Sequence, residues 1–116
     1  NIIEFILEKL NIKREIKLSS EINVTGKSSE YLINLLKEES ESQYLSTVGS
    51  REYLVKDREL FKKSKIETKI IEYIPSKYNQ LHEPFLSHAT TLDILLNYGE
   101  ETLDVILDGE LKVEQL

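Results

Sequence analysis

The stretch QYLSTVGSREYLVKDRELFKKSKIETKIIEYIP, residues 43–75, decides the fold. It opens with a short β-favouring run that ends at Gly49, and it closes with an isoleucine-rich run that ends at Pro75. Ser50 can cap a helix between the two runs. Because a crossover helix joins strands that run in the same direction, these two strands are predicted to pair in parallel. The inward-facing residues of the helix are predicted to be Tyr53, Leu54, Leu60 and Phe61.

The segments before this stretch continue the alternation of helices and strands. The spacing of apolar residues predicts a helix over residues 2–10 and another that runs to about Glu39, with capping chemistry from Thr25, Gly26 and Ser28 at its start. Apolar and charged residues alternate around Ile16, which predicts a strand between these helices. The buried stripe of the second helix is predicted to consist of Leu32, Leu35 and Leu36.

Two short helices are predicted towards the C-terminal end. Thr90 opens the first, Gly99 ends it, and the second runs from residue 100 to residue 107. Residues 110–116 are either a strand or a frayed tail. The chain is therefore predicted to be a single α/β domain, residues 1–116, in which helices flank a mostly parallel sheet of about three strands. The strands are predicted near Ile16, Leu45 and Ile70, and a C-terminal helical pair follows them.

The composition excludes several classes of protein. The net charge of −6 repels a phosphate backbone, so no nucleic-acid partner is expected. No apolar run can span a bilayer and no signal peptide is evident, so the chain is expected to be cytoplasmic. It has no cysteine, which excludes thiolate nucleophiles and zinc sites built on sulfur. It has no methionine either, which favours an excised segment of a longer protein.

Two short motifs imitate known sites without meeting their requirements. The tripeptide GKS at residues 26–28 resembles the end of a phosphate-binding loop, but such a loop needs a glycine where Glu21 stands. His82 and Glu83 resemble the start of a zinc-protease helix, but Pro84 interrupts it, so no metal site is predicted. His82 is still a candidate general base, because histidine titrates near neutrality.

The irregular stretch from Ser76 to Ala89 is a candidate functional loop, since long ordered loops often carry function. In the helix that follows, Asp93 and Asn97 lie four residues apart and project from the same side. This pair is equally compatible with a site and with capping and surface hydrogen bonds.

Two segments resemble those of a known family. YLSTVGSREYL, residues 44–54, is similar to the YLSGxGxxxYL segment of the WbqC-like family. YNQ at residues 78–80 and TTLDILLNYG at residues 90–99 resemble the family's YxQ…F…LSxxDLLFNxG ending. Thr90 replaces the usual serine and Leu96 the usual phenylalanine. Because members of the family are roughly twice as long, the chain resembles their C-terminal half.

The resemblance implies a bacterial protein of surface-polysaccharide biosynthesis, of the O-antigen type. One activity suggested for the family is a transferase that places an aminoacyl group, glycine, onto a sugar. The implied partners are a small-molecule or sugar substrate and the missing N-terminal half. The sequence and the resemblance leave the cofactor unknown, and the resemblance transfers no catalytic residue. The alternative is a non-catalytic interaction or scaffold domain in the same pathway.

The candidate site residues lie at a strand end, in the long loop and in the helix after it. In open α/β sheets, ligands bind at the carboxyl ends of the strands. We therefore predict that Ser46, Tyr78, Gln80, Asp93 and Asn97 converge on one cleft. The catalytic candidates are Asp93 and His82. The ligand-binding candidates are Ser46, Gly49, Ser50, Tyr78, Gln80, Thr90 and Asn97.

Overall fold

The computed structural model describes residues 1–116, which divide into two compact units. Unit 1 comprises residues 1–16 and 73–111, and unit 2 comprises residues 17–72 and 112–116. The helices are α1 (Ile2–Lys9), α2 (Ser28–Glu38), α3 (Arg51–Lys56), α4 (Arg58–Lys63), α5 (Thr91–Tyr98) and α6 (Thr102–Leu107). The strands are β1 (Gln43–Thr47), β2 (Glu67–Ile74) and β3 (Glu110–Gln115). None of the helices is long and apolar enough to cross a membrane.

The three strands form one sheet in the order β1-β2-β3. β1 and β2 are parallel, with Ser46 beside Ile70, which confirms the pairing predicted from the crossover. Gly109, just before β3, contacts Tyr73 near the end of β2. Leu116, just after β3, donates its backbone N–H to the Thr68 carbonyl near the beginning of β2, at 3.0 Å. β3 therefore runs antiparallel to β2. The sheet is mixed, and the prediction of a mostly parallel sheet is wrong.

The strand predicted near Ile16 is absent. Residues 12–18 form no helix or strand, and the side chains of Ile16 and Leu18 are 39% and 50% exposed. Alternation of apolar and charged residues makes a strand only where a neighbouring strand pairs with it, and residues 12–18 pair with none of the three strands. The third strand comes instead from residues 110–115.

The buried face of α2 differs from the predicted leucine stripe. Ser29, Ile33 and Leu36 are buried, at a helical spacing of four and three residues. Leu32 and Leu35 flank this row and are half-buried. The predicted burial of Leu36 is confirmed, but the buried face is centred on Ile33 rather than on the leucines.

The single helix predicted over residues 50–63 is two helices that meet at Asp57. The Asp57 carboxylate accepts a hydrogen bond of 2.6 Å from the buried Ser29 hydroxyl of α2. Leu54 and Phe61 are fully buried, as predicted. Leu60 is 44% exposed, so its predicted inward orientation is wrong.

The core of unit 2 is built around the parallel strands and their connection. Tyr44 of β1 stacks on Phe61 of α4, with ring centroids 6.1 Å apart and an interplanar angle of 6°. This contact holds the first strand against the crossover helices. The buried residues of the core are Ile33, Leu36, Leu54, Phe61, Ile66 and Ile70.

In unit 1 the two C-terminal helices form where they were predicted. The Thr90 hydroxyl caps α5 by accepting a hydrogen bond of 3.3 Å from the Leu92 N–H. Gly99 ends α5 with a positive φ of 55°. Residues 75–90 contain no helix or strand, which confirms the predicted irregular loop. Buried side chains of unit 1 include Ile94 and Thr102.

Candidate functional site

A pocket of about 590 Å³ in unit 2 is lined by aromatic rings and hydroxyl groups. α2 contributes residues from its first turn, and β1 and α3 each contribute one tyrosine. Pockets that combine apolar walls with a few convergent polar groups are typical ligand sites. The lining residues are Gly26, Ser28, Ser29, Tyr31, Leu32, Tyr44 and Tyr53.

The loop before α2 closes tightly onto the first turn of the helix. Gly26 has a φ of +136°, and a Cβ atom built there would lie 2.9 Å from the backbone nitrogen of Tyr31. Only glycine fits this approach without strain. Asn34 donates a hydrogen bond of 2.8 Å to the Thr25 carbonyl and fixes the same loop from the far side. Gly26 and Ser28 of the GKS tripeptide thus line one wall of the pocket.

Four hydroxyl groups form a network beside this pocket. The hydroxyl oxygens of Tyr44 and Tyr53 are 3.1 Å apart, and Ser46 donates a hydrogen bond of 2.6 Å to Ser50. Burial, followed by the hydrogen bond with Tyr53, raises the pKa of Tyr44 above its ordinary value. Burial also raises the pKa of Tyr53, but hydrogen bonds with Ser50, Tyr44 and Ser46 lower it below its ordinary value. The two phenols therefore differ in proton affinity.

Ser46, Gly49 and Ser50 lie where the sequence placed them, at the carboxyl end of β1. Ser46 is in the strand, and the other two are in a 3₁₀ turn over Val48–Ser50. Ser50 does not cap α3 with its side chain, because its backbone is already in the helical region rather than the extended conformation of a capping residue. Its hydroxyl accepts the hydrogen bond from Ser46. The two serine hydroxyls lower the pKa of Tyr53 and do not stabilise the start of the helix.

Four of the five residues predicted to share a cleft meet in unit 1. The Asp93 carboxylate accepts hydrogen bonds from the Tyr78 hydroxyl, at 2.7 Å, and from the Gln80 amide, at 3.1 Å. The Asn97 amide donates to the Asp93 carbonyl at 2.7 Å. Ser46, the fifth residue, belongs to unit 2. A cleft that includes Ser46 as well stays a prediction.

Gln80 closes the long loop on itself. Its side-chain oxygen accepts a hydrogen bond of 2.7 Å from the Leu86 N–H, and its amide nitrogen donates to the Leu86 carbonyl at 3.0 Å. The same nitrogen lies 2.9 Å from the Tyr78 hydroxyl. Burial, followed by the hydrogen bond to Asp93, raises the pKa of Tyr78. The polar atoms of this network are thus engaged by one another, and they order the loop.

His82 and Thr90 lie beside this network. They line a pocket of about 300 Å³ together with Gln80 and Asp93, and the His82 side chain is exposed. The Thr90 hydroxyl is already used as the cap of α5. No group of three or more His, Cys, Asp or Glu side chains is arranged to hold a metal ion.

Tyr44 and Tyr53 are functional candidates that the sequence reasoning missed. Both were assigned to the fold, because aromatic residues at strand and helix positions are usually core residues. The signal that could have found them is the pair of serines at positions 46 and 50, which lie between the two tyrosines in one strand–turn–helix segment.

A family model described as "WbqC-like protein family" matches residues 1–105. The chain belongs to the WbqC-like protein family. The match covers nearly the whole chain rather than one half of it, and it includes both the segment with the tyrosine pair and the long loop. No curated protein and no solved structure matches the chain. Family membership thus rests on the sequence model alone.

Proposed function

We propose that this WbqC-like chain takes part in the assembly of bacterial surface polysaccharide of the O-antigen type, and that it binds a sugar-containing ligand in the pocket of Tyr44 and Tyr53. The observation that carries this proposal is the lining of that pocket. A sugar ring offers C–H faces that pack on aromatic rings and hydroxyls that donate and accept hydrogen bonds. Tyrosine rings pack against such C–H faces, and tyrosine and serine hydroxyls both donate and accept hydrogen bonds with sugar hydroxyls.

The finer form of the proposal is a transferase that places an aminoacyl group such as glycine on the bound sugar. In that form, the lowered pKa of Tyr53 makes its hydroxyl the better proton donor of the two phenols in the pocket. The same proposal makes this chain a single folded domain in the cytoplasm and the C-terminal half of a longer protein. It also includes ligand contacts by Gly49, Tyr78, Gln80, Thr90 and Asn97.

A non-catalytic scaffold is the second candidate function. The observation that favours it is the network of Tyr78, Gln80, Asp93 and Asn97, whose members bond to one another. A loop ordered in this way presents a fixed surface. Under this alternative the chain holds a partner in a glycan-assembly pathway and turns over no substrate.

The test is a ligand screen by NMR with sugar nucleotides, free monosaccharides, amino acids and acyl donors. We expect sugar-containing compounds to shift the resonances of the pocket residues. Y44F and Y53F should each weaken binding about tenfold, the effect of one lost hydrogen bond. Y98F is the matched control, since the Tyr98 hydroxyl bonds to the Asn79 N–H in unit 1.

Two results would contradict the sugar pocket: no sugar-containing compound binds, or both pocket variants bind as tightly as the control. Mass spectrometry of mixtures of acyl donor and sugar then separates the two functions. A transferase yields an acylated sugar, whereas a scaffold yields none.

A further inference from the structure

Ser87 and His88 form a hydrogen-bonded pair in the long loop of unit 1. The Ser87 Oγ and His88 Nδ1 atoms are 2.7 Å apart. The other ring nitrogen, Nε2, lies 3.2 Å from the backbone carbonyl oxygen of Tyr73. A carbonyl oxygen only accepts, so Nε2 carries the proton and donates it. The lone pair of Nδ1 is therefore free to accept the hydrogen bond from the Ser87 hydroxyl.

This arrangement contains the parts of an activated nucleophile. A serine hydroxyl is weak by itself and needs an adjacent base, which in turn is oriented by a third group. Here the imidazole is the base, and the Tyr73 carbonyl fixes its tautomer and its ring orientation. Both side chains are exposed, so a substrate can reach them. The backbone of His88 has a positive φ of 59°, a conformation uncommon for residues other than glycine.

A cavity of about 290 Å³ adjoins the pair. His88 lies in its wall, and most of the other side chains around it are apolar or aromatic. Such a cavity has enough volume for a short acyl chain. The apolar and aromatic residues of this wall are Tyr73, Pro75, Tyr78, Ala89, Ile94 and Ile106.

We propose that Ser87 is an acyl-accepting nucleophile and His88 its general base, with an ester or thioester as the acyl donor. Ser87 Oγ attacks the donor carbonyl, and its proton passes to His88 Nδ1. The tetrahedral adduct collapses, the bond to the leaving oxygen or sulfur breaks, and the leaving group takes the proton from His88. Water or a hydroxyl acceptor then attacks the acyl-serine by the reverse sequence of proton transfers.

This activity does not rest on the sugar pocket, because it uses no residue of unit 2. The test is labelling of the whole chain with a fluorophosphonate, in which the serine oxygen displaces fluoride. We expect one adduct per chain, located on Ser87 by peptide mass spectrometry. S87A should abolish the adduct. S76A, which removes another serine of unit 1 that bonds to the Asp108 carbonyl, should keep it.

A second variant tests the base. H88N keeps a residue that tolerates a positive φ but removes the imidazole, so the labelling rate should fall about 100-fold or more. Hydrolysis of a short-chain nitrophenyl ester should fall in parallel. The proposal is overturned if the parent chain carries no adduct on Ser87, or if H88N is labelled as fast as the parent. Neither result affects the Tyr44 and Tyr53 pocket, which is tested by sugar binding.

Discussion

At the scale of single residues, the two tyrosines of the unit 2 pocket should ionise at different pH. The pKa of Tyr44 is raised and that of Tyr53 is lowered from the ordinary value. We predict that Y53F removes the early part of the tyrosinate absorbance change in an alkaline titration, and that Y44F removes a late part. A titration in which Y53F loses the late part would contradict the assignment.

The same shifts have opposite consequences for stability. The contribution of Tyr44 is fully present below about pH 10, the ordinary pKa of tyrosine, and is lost as the pH rises through its raised folded-state pKa. Tyr53 has a lowered folded-state pKa, so its contribution is fully present above about pH 10, the ordinary pKa of tyrosine, and is lost as the pH falls through the lowered folded-state pKa. Relative to the parent chain, Y44F should therefore lose less stability between neutral and strongly alkaline pH.

Asp93 is the acceptor at the centre of the loop network. We predict that D93N destabilises the fold by about 1–3 kcal/mol, because an amide oxygen accepts more weakly than a carboxylate and the new amide NH2 group would face the Asn97 amide, which is also a donor. Chemical denaturation measures the change. D104N is the control, since Asp104 is exposed on α6 of the same unit and should change stability by less than about 0.5 kcal/mol. Equal effects of the two substitutions would argue against an ordering role for Asp93.

At the scale of secondary-structure elements, Gly26 limits how α2 begins. We predict that G26A destabilises unit 2 by more than about 1 kcal/mol, because alanine meets both a positive φ and the Tyr31 backbone. G99A also has a positive φ but open space around it, so it should cost about 1 kcal/mol from strain alone. Thermal unfolding of both variants measures the difference. A G26A chain at least as stable as G99A would show that the loop can move away.

The elements that the sequence predicted correctly are those with strong local signals. β1 and β2 follow from β-favouring runs, and α5 follows from Thr90 and Gly99. The incorrect predictions concern which segments pair with one another in the sheet. Ile16 shows strand-like alternation without a neighbouring strand, whereas β3, which has weaker alternation, pairs with β2. Pairing partners distant in sequence leave no local signal.

The same limit applies to the candidate site. The meeting of Tyr78 and Gln80 with Asp93 followed from the order of loop and helix, since these residues are close in sequence. The role of Tyr44 did not follow, because its pocket depends on how α2 and α3 pack beside β1. The hydrogen bond between the Ser87 and His88 side chains could not be predicted for another reason. Neighbouring side chains meet only in particular backbone conformations, and the positive φ of His88 is not encoded by its residue type.

At the scale of the whole molecule, unit 2 is completed by a segment far along the chain. We predict that removing residues 112–116 lowers the stability of unit 2 by more than about 1 kcal/mol. The truncation removes the half-buried Leu116 together with its hydrogen bond to Thr68, and it also removes the ion pair of Arg51 with Glu114. Hydrogen exchange at β2 should speed up. V113A, at an exposed position of β3, is the control and should leave exchange nearly unchanged.

The late position of β3 also matters while the chain is being made. A ribosome releases β1, the crossover helices and β2 well before it has synthesised β3, because the loop and two helices of residues 75–107 come between them. During that interval one edge of β2 has no partner, and an unpaired edge can pair with a strand of another nascent chain. Codons that slow translation across this interval should therefore increase aggregation, and codons that speed it should reduce it.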